Sequence, residues 1–113
     1  MKRTPKKKEK ESDIQRSILD YLAWKGYLAV KFSSVGIYNK KTEAYIPQRQ
    51  RGVSDILAVQ PVTGRFIAIE CKTGSNAPSH EQAEFLENVK KKGGMAIVAY
   101  SLGDVMRGLE EHD

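Results

Sequence analysis

Two acidic residues and a lysine flank a predicted β-hairpin: Asp55 stands before its first strand, and Glu70 and Lys72 stand near the end of its second. The two apolar, β-branched runs are joined by the turn-forming residues Pro61-Val62-Thr63-Gly64. A turn that closes symmetrically sets Asp55 opposite Glu70. Because alternate residues of a strand point to the same face, Lys72 shares that face with Glu70, and Cys71 points away. The pattern predicts that two carboxylates and one ammonium meet at the open end of the hairpin.

Such a group is suited to binding a hard divalent cation. Mg2+ prefers oxygen ligands at about 2.0 to 2.1 Å and usually takes one or two carboxylates together with several waters. The Cys71 backbone carbonyl is a candidate for a further oxygen ligand, and the Lys72 ammonium would orient a metal-bound water or neutralise charge on a phosphate. The alternative is a chance pair of acids with an ordinary salt bridge to Lys72. The Glu-x-Lys spacing, the apolar hairpin and the preceding Gly52 favour the metal site, because facing acids destabilise a strand pair unless something offsets them.

The length and composition are typical of one globular domain. The chain has 113 residues, 40% of them hydrophobic and 29% charged, and we expect a basic flexible tail over residues 1–10 and a single domain over residues 11–113. No apolar run approaches the ~18 residues of a membrane span, and no signal peptide is recognisable, so we expect a cytoplasmic protein without a membrane contact. The single cysteine excludes an internal disulfide and fits a reducing compartment.

The basic residues are unevenly distributed. The net charge is +5, and residues 1–10 alone, with six basic residues and one glutamate, account for it. The tail is interpreted as a solubilising arm or a non-specific grip on phosphates. A second local excess of positive charge lies just before the acidic motif and predicts a contact with the nucleic acid backbone. The candidate contact residues there are Lys40, Lys41, Arg49 and Arg51.

Three helices are predicted around these residues. Ser12 and Gln15 form a capping-box pattern ahead of a helix that ends before Gly26, and Ser79 and Gln82 repeat that pattern ahead of a helix reaching about Lys92. Ser101 precedes a last short helix. The core-facing residues expected on these helices include Ala83, Phe85, Leu86 and Val89 on the second and Val105, Met106 and Leu109 on the third, with Trp24 of the first assigned to core or edge packing.

The strands predict a mixed sheet. A first strand is expected over Tyr27–Ser34, an exposed hairpin within residues 36–50, then the central hairpin, and finally a strand over Met95–Tyr100. The last strand is nearly all apolar, which is typical of a central strand covered on both faces. The predicted order is α-β-(β hairpin)-β-β-α-β-α, an α/β fold with helices on the faces of the sheet.

These segments resemble a known nuclease superfamily. Asp55 followed by Glu70-Cys71-Lys72 resembles the PD-(D/E)XK nuclease signature. Glu11-Ser12-Asp13-Ile14-Gln15 and Ser79-His80-Glu81-Gln82 resemble its small VRR-NUC (virus-type replication-repair nuclease) branch, whose stand-alone members are often phage-encoded. The resemblance spans residues 11 to about 110. Ser54 stands where the motif has proline, a mild departure because proline would only stiffen the approach to Asp55.

The resemblance implies a restriction-endonuclease-like core in which Asp55, Glu70 and the Cys71 carbonyl bind Mg2+ or Mn2+. Without the resemblance, Glu11 would be interpreted only as complementing a helix dipole and Gln82 only as part of a helix cap. The family assigns them to the site, with Glu11 completing the acidic cluster and Gln82 supporting it, while Lys72 positions the attacking water. The implied catalytic residues are therefore Glu11, Asp55, Glu70, Lys72 and Gln82.

The implied activity is that of a metal-dependent DNA endonuclease. Stand-alone members of this branch resemble Holliday-junction resolvases, which implies a homodimer that cuts two strands of a branched duplex in repair or recombination. One alternative is a non-catalytic nucleic-acid-binding module that uses the basic tail and the Arg49 and Arg51 loop. Another is a zinc site involving Cys71 and His80, which is disfavoured because zinc takes about four ligands and this chain has one cysteine and two histidines.

Overall fold

The computed structural model describes residues 10–32, 37–39, 44–46 and 51–111 of the chain. The nine elements found in these ranges follow the predicted order. They are α1 (Glu11–Trp24), β1 (Leu28–Lys31), β2 (Ile37–Asn39), β3 (Ala44–Ile46), β4 (Ile56–Val59), β5 (Phe66–Cys71), α2 (His80–Lys91), β6 (Met95–Ala99) and α3 (Leu102–Glu111).

The described strands form two sheets. The larger has the order β1-β4-β5-β6, in which β1, β4 and β5 are antiparallel and β6 runs parallel to β5. The smaller is the antiparallel pair β2 and β3, which confirms the predicted second hairpin. Helix α2 connects the parallel strands β5 and β6, as a crossover connection requires. The mixed sheet flanked by helices is confirmed.

The register of the central hairpin is also confirmed. Ile56 lies opposite Ile69 and Val59 lies opposite Phe66. The hairpin is closed by the Gln60 N–H, which donates to the Arg65 carbonyl at 2.9 Å. The symmetrical turn predicted from the sequence therefore exists, and it determines which residues meet at the other end of the hairpin.

Helices cover both faces of the larger sheet. On one face, α1 and α3 pack against alternate strand residues in a core that includes Ile14, Ile18, Ile67, Ile69 and Val105. On the other face, α2 packs Leu86 and Val89 against Ala68 of β5. A fully buried side chain of this kind contributes about 1.5 to 3 kcal/mol, so β4 and β5, in the middle of the described sheet, are well anchored and support the candidate residues at their ends.

Strand β6 lies at the edge of the described sheet, so its predicted central position is wrong. Its sequence lacks polar alternation because helices lie on both of its faces: Ala96 and Val98 pack towards α2, and Met95 and Ala99 belong to the core beneath α1 and α3. Coverage by helices and a central place among the strands produce the same apolar pattern.

Helix α1 begins two residues earlier than its capping-box pattern predicts, with Lys10 instead of Ser12 at the N-cap position. The Lys10 carbonyl accepts the N–H groups of Asp13 and Ile14, and no side chain caps the helix. Ser12 therefore lies inside the first turn, and its predicted capping role is wrong.

Three side chains assigned to the core, or in the case of Trp24 to core or edge packing, are exposed. Trp24 is 80% exposed and lies beside Tyr21 and Lys25, because the buried stripe of α1 runs through Ile14, Ile18 and Leu22. Ala83 and Met106 are likewise exposed, on the outer sides of α2 and α3. None of the helices in the described ranges has the length and apolar content needed to cross a membrane.

Candidate active site

Asp55 reaches the end of the neighbouring strand β5. Continuing the hairpin register by one position beyond the Ile56–Ile69 pair sets Asp55 opposite Glu70. The Cys71 N–H donates to Asp55 Oδ2 at 2.8 Å. Strand β4 starts only at Ile56, so the Asp55 carboxylate occupies the place where a further strand residue would pair with β5. This bond holds Asp55 beside Glu70.

Glu70 is a buried carboxylate, with only 1% of the residue exposed. Its Oε1 accepts a hydrogen bond from Gln82 Nε2 at 2.9 Å and lies 3.6 Å from Lys72 Nζ. Its Oε2 is buried and has no hydrogen-bond partner among the described residues. A buried polar oxygen without a partner is costly, by about 1 to 3 kcal/mol and more when it is charged. A bound cation at Oε2 would remove that cost.

The electrostatics follow from this burial. The pKa of Glu70 is raised from 4.5 to about 7: burial is the largest cause, the nearby Asp55 charge acts in the same direction, and the Lys72 charge acts against them. Burial also raises the pKa of the Cys71 thiol to about 12, helped by the charges of Asp55, Glu70 and Glu11. Cys71 is therefore a neutral thiol in the core, and only its backbone is available to the site.

Gln82 is held at the start of α2. The Ser79 N–H donates to Gln82 Oε1 at 2.8 Å, and the Gln82 N–H donates to Ser79 Oγ at 3.2 Å. This confirms the capping box predicted from the sequence. The remaining group of the side chain, its NH2, faces Glu70. The structure therefore brings Gln82 to the site, as the family resemblance implies.

Lys72 lies at the same edge of the sheet. Its N–H donates to the Ala99 carbonyl of β6 at 3.0 Å, which ties the residue to the parallel strand. Its side chain is mostly buried beside Glu70. The predicted convergence of Asp55, Glu70 and Lys72 is therefore present.

The donor set at this point suits an oxygen-preferring cation. Asp55 and Glu70 supply carboxylates, and Glu70 has the unpartnered oxygen. The N–H and C=O of one strand residue point to the same side, so the Cys71 carbonyl is directed to the side where its N–H meets Asp55. Carboxylate and carbonyl oxygens are ligands of Mg2+ and Mn2+. The residues present fit the metal that the resemblance implies.

Glu11 lies near the candidate metal ligands Asp55 and Glu70 but does not form a group with them. It is the first residue of α1, close enough for its charge to raise the pKa of Cys71. Within the described ranges, no three or more His, Cys, Asp or Glu side chains form a group that could hold a metal ion. The zinc hypothesis finds no support in these residues either, since Cys71 is buried whereas His80 is exposed beside Glu84.

Of the candidate DNA-contacting residues, Arg51 alone falls within the described part of the chain. It is exposed and lines a cleft of about 220 Å3 together with Glu81 and Glu84 of α2. Lys40, Lys41 and Arg49 lie outside the described residues, as do residues 1–9 of the predicted tail.

Two supporting contacts were not predicted from the sequence. Gly52 has φ +78°, and a Cβ there would lie 2.4 Å from the Glu81 carbonyl oxygen, so a side chain at this position would push against α2. The Tyr100 hydroxyl donates to the Asn76 carbonyl at 2.7 Å and ties down the loop between β5 and α2. For the first contact, the sequence offered one signal, the position of Gly52 just before Asp55. Its neighbour Glu81 is visible only in the folded chain.

Comparison with known proteins agrees with this architecture. The family model of the VRR-NUC domain matches residues 9–102. A solved structure described as a VRR_NUC domain superposes with a TM-score of 0.69 at 21% identity, covering 91% of this chain and 97% of that one. No curated protein sequence matches the chain. Since the family model covers most of the sequence and the solved structure has the same fold, the chain belongs to the VRR-NUC domain family, whose fold is of the nuclease type.

Proposed function

We propose that this protein is a metal-dependent endonuclease that hydrolyses phosphodiester bonds in DNA. One observation carries the proposal: the buried Glu70 oxygen without a partner lies in a carboxylate that is also in contact with Lys72 and opposite Asp55. A protein that only binds nucleic acid has no use for two adjacent acids, which repel phosphate. Hydrolysis with a divalent cation needs them.

The residues have separable roles in this proposal. Asp55, Glu70 and the Cys71 carbonyl would hold Mg2+ or Mn2+, which supplies a Lewis acid and lowers the pKa of a bound water. Lys72 directs its ammonium at the attacking water or at the phosphate oxygens, where it offsets developing negative charge. Gln82 restrains Glu70 through its 2.9 Å hydrogen bond.

The proposed substrate is branched DNA, cut by a homodimer in repair or recombination. Both parts rest on the family's resemblance to Holliday-junction resolvases. Two copies of the site on one face would cut two strands of a junction, whereas a monomer would have to rebind between cuts.

Cleavage assays test the activity directly. The purified protein is incubated with a labelled four-way junction, a flap and a plain duplex, in Mg2+, Mn2+ or EDTA. We expect cleavage in either metal, none in EDTA, and faster cutting of the junction than of the duplex. No cleavage of any substrate in either metal would refute the enzyme and favour the non-catalytic DNA-binding module.

Two variants test the residues. Asp55→Asn keeps an acceptor for the Cys71 N–H but removes the charge, and Lys72→Ala removes the ammonium. Each is expected to lower the cleavage rate by at least about 100-fold while DNA affinity stays within a few-fold. Asp20→Asn and Lys91→Ala, at exposed positions, are the matched controls. Cleavage at the rate of the unmodified protein by either site variant would contradict the proposal.

A further inference from the structure

A chain of hydrogen bonds links the start of α2 to the site. The Ser79 N–H donates to Gln82 Oε1 at 2.8 Å, and Gln82 Nε2 donates to Glu70 Oε1 at 2.9 Å. A primary amide has one accepting oxygen and one donating NH2. Because the cap occupies the oxygen, only the NH2 can face the carboxylate. A flipped amide would break the cap and set its oxygen against Glu70.

The same chain selects one oxygen of Glu70. With Oε1 held by Gln82 and in contact with Lys72, Oε2 is the buried oxygen left without a hydrogen-bond partner. The backbone of Glu70 is already held in the sheet between β4 and β6. The remaining freedom lies in the side-chain torsions, and Gln82 restrains them.

The fold itself does not demand this cap. Helix α1 begins at Glu11, and its N-cap residue Lys10 provides no side-chain cap, yet the helix is formed. At α2, Gly52 also lies close against the Glu81 carbonyl, a second contact that positions the first turn of the helix. The cap at Ser79 is thus placed where a shift of the helix start would move Gln82 away from Glu70.

From these contacts we propose that Ser79 is a positioning residue of the site: its capping box orients the Gln82 amide and, through that amide, presents one Glu70 oxygen to the cation. Ser79 itself touches neither metal nor DNA in this proposal. The identity of the cation rests on the proposed function, whereas the orientation of the amide does not.

Metal affinity in the absence of DNA is the first measurement. Free Mn2+ is determined by electron paramagnetic resonance during titration of the unmodified protein, Ser79→Ala, Ser79→Thr and Val89→Ala. Loss of a group that orients a metal ligand typically costs about 10- to 100-fold in affinity. Because Ser79→Ala keeps the Ser79 N–H, we expect the lower end, about 10-fold weaker Mn2+ binding, and recovery in Ser79→Thr, since threonine also caps helices.

Val89→Ala is the matched control for stability. It removes part of a buried side chain of α2 away from the cap and is expected to lower the melting temperature at least as much as Ser79→Ala, with Mn2+ affinity unchanged. If Ser79→Ala lowers the melting temperature but leaves the Mn2+ affinity unchanged, Ser79 is only a helix cap and the proposal is wrong.

The Gln82 side-chain amide provides a readout without metal. In two-dimensional 1H–15N spectra of the metal-free protein, its NH2 protons should differ in shift and show a nuclear Overhauser effect to the region of Glu70. Ser79→Ala, which keeps the Ser79 N–H but loses the Oγ acceptor, should reduce that difference and weaken the nuclear Overhauser effect, and Ser79→Thr should restore both. Unchanged Gln82 signals in Ser79→Ala would overturn the proposal even if the protein binds no Mn2+ and cuts no DNA, an outcome that would separately refute the proposed function.

Discussion

At the scale of single residues, Glu70 is a carboxylate in an environment that disfavours its charged form. It is buried, faces a second acid, and has one oxygen without a hydrogen-bond partner within the described chain. Its pKa is therefore raised to about 7. Because metal binding requires the ionised carboxylate, protons and the cation compete for this residue. Metal affinity should fall as the pH is lowered through about 7.

The raised pKa also makes stability depend on pH. The folded, metal-free protein holds a proton on Glu70 up to about pH 7, whereas the unfolded chain releases it near pH 4.5. The free energy of unfolding contributed by this residue therefore decreases as the pH rises from about 4.5 to about 7.

Glu70→Gln removes this dependence. We expect the variant to be more stable than the unmodified protein at pH 8 by roughly 1 to 3 kcal/mol, since one pKa unit corresponds to about 1.4 kcal/mol, and nearly equal to it at pH 5. Urea unfolding in EDTA at both pH values measures this. Glu87→Gln, at an exposed position of α2, serves as control, and an equal stability of Glu70→Gln and the unmodified protein at pH 8 would contradict the expectation.

Gly52 is required for two reasons, its backbone angle and its neighbour. Its φ is +78°, and an added Cβ would lie 2.4 Å from the Glu81 carbonyl oxygen. Gly26 has a similar φ of +84° with nothing within 4 Å of an added Cβ. A substitution at Gly26 therefore tests the cost of the positive φ alone, whereas one at Gly52 adds the clash with Glu81.

Gly26→Ala should cost about 1 to 2 kcal/mol, the penalty of a side chain at positive φ. Gly52→Ala should cost roughly 1 kcal/mol more and, because α2 must shift, should also weaken Mn2+ binding. Urea unfolding and Mn2+ titration measure both effects. Equal losses of stability in the two variants, with unchanged Mn2+ affinity, would show that α2 accommodates the side chain.

At the scale of elements, the site depends on how α2 is joined to the sheet. The loop after Lys72 leads to Ser79, and its Asn76 carbonyl is held by the Tyr100 hydroxyl at 2.7 Å. Tyr100 follows β6, and its N–H donates to Asp104 of α3 at 2.8 Å. The loop that joins Lys72 of the site to Ser79 and Gln82 of α2 is thus held by a residue that follows β6.

Tyr100→Phe removes that contact. A hydrogen bond of this kind contributes about 0.5 to 1.5 kcal/mol, and because Tyr100 is partly exposed we expect the low end for global stability. The expected local effect is faster amide exchange over residues 73–78 and a several-fold slower cleavage. Hydrogen exchange with mass spectrometry provides the measurement, with Tyr21→Phe on α1 as control. Unchanged exchange over residues 73–78 would mean that the loop is held by other contacts.

At the scale of the whole molecule, α2 leaves part of its sheet face uncovered. Leu28 and Val30 of β1 are 68% and 53% exposed, and β1 lies at the edge of the described sheet. An exposed apolar edge of this kind is a site for association between chains. The proposed homodimer has a candidate surface here.

A double variant, Leu28→Ser with Val30→Ser, tests this surface. The unmodified protein is expected to sediment as a dimer of the 12.7 kDa chain, and the double variant as a monomer that nicks junctions without paired cuts. Val62→Ser, in the exposed hairpin turn, is the control. Sedimentation of the unmodified protein as a monomer would refute the homodimer, and a dimeric double variant would place the interface elsewhere.

The sequence predicted the structure correctly in segments whose conformation depends on residues close together in the chain. The register of the central hairpin followed from its turn residues and alternation, and the Ser79 and Gln82 cap from a pattern spanning four residues. Similar local patterns gave wrong predictions where tertiary packing determines the position of a residue. Ser12 does not cap α1, because the helix begins at Glu11 with Lys10 as its N-cap. Trp24 faces outward because the buried stripe of α1 runs through other residues.

The sequence by itself determined the element order and the meeting of Asp55, Glu70 and Lys72, because strand alternation and turn closure act over short stretches of chain. Only the tertiary structure decided that Gln82 bonds Glu70, that one Glu70 oxygen stays without a hydrogen-bond partner, and that Gly52 touches α2. Those contacts join segments 12 to 29 residues apart, whose positions depend on how the helices pack on the sheet, and no local pattern encodes that packing.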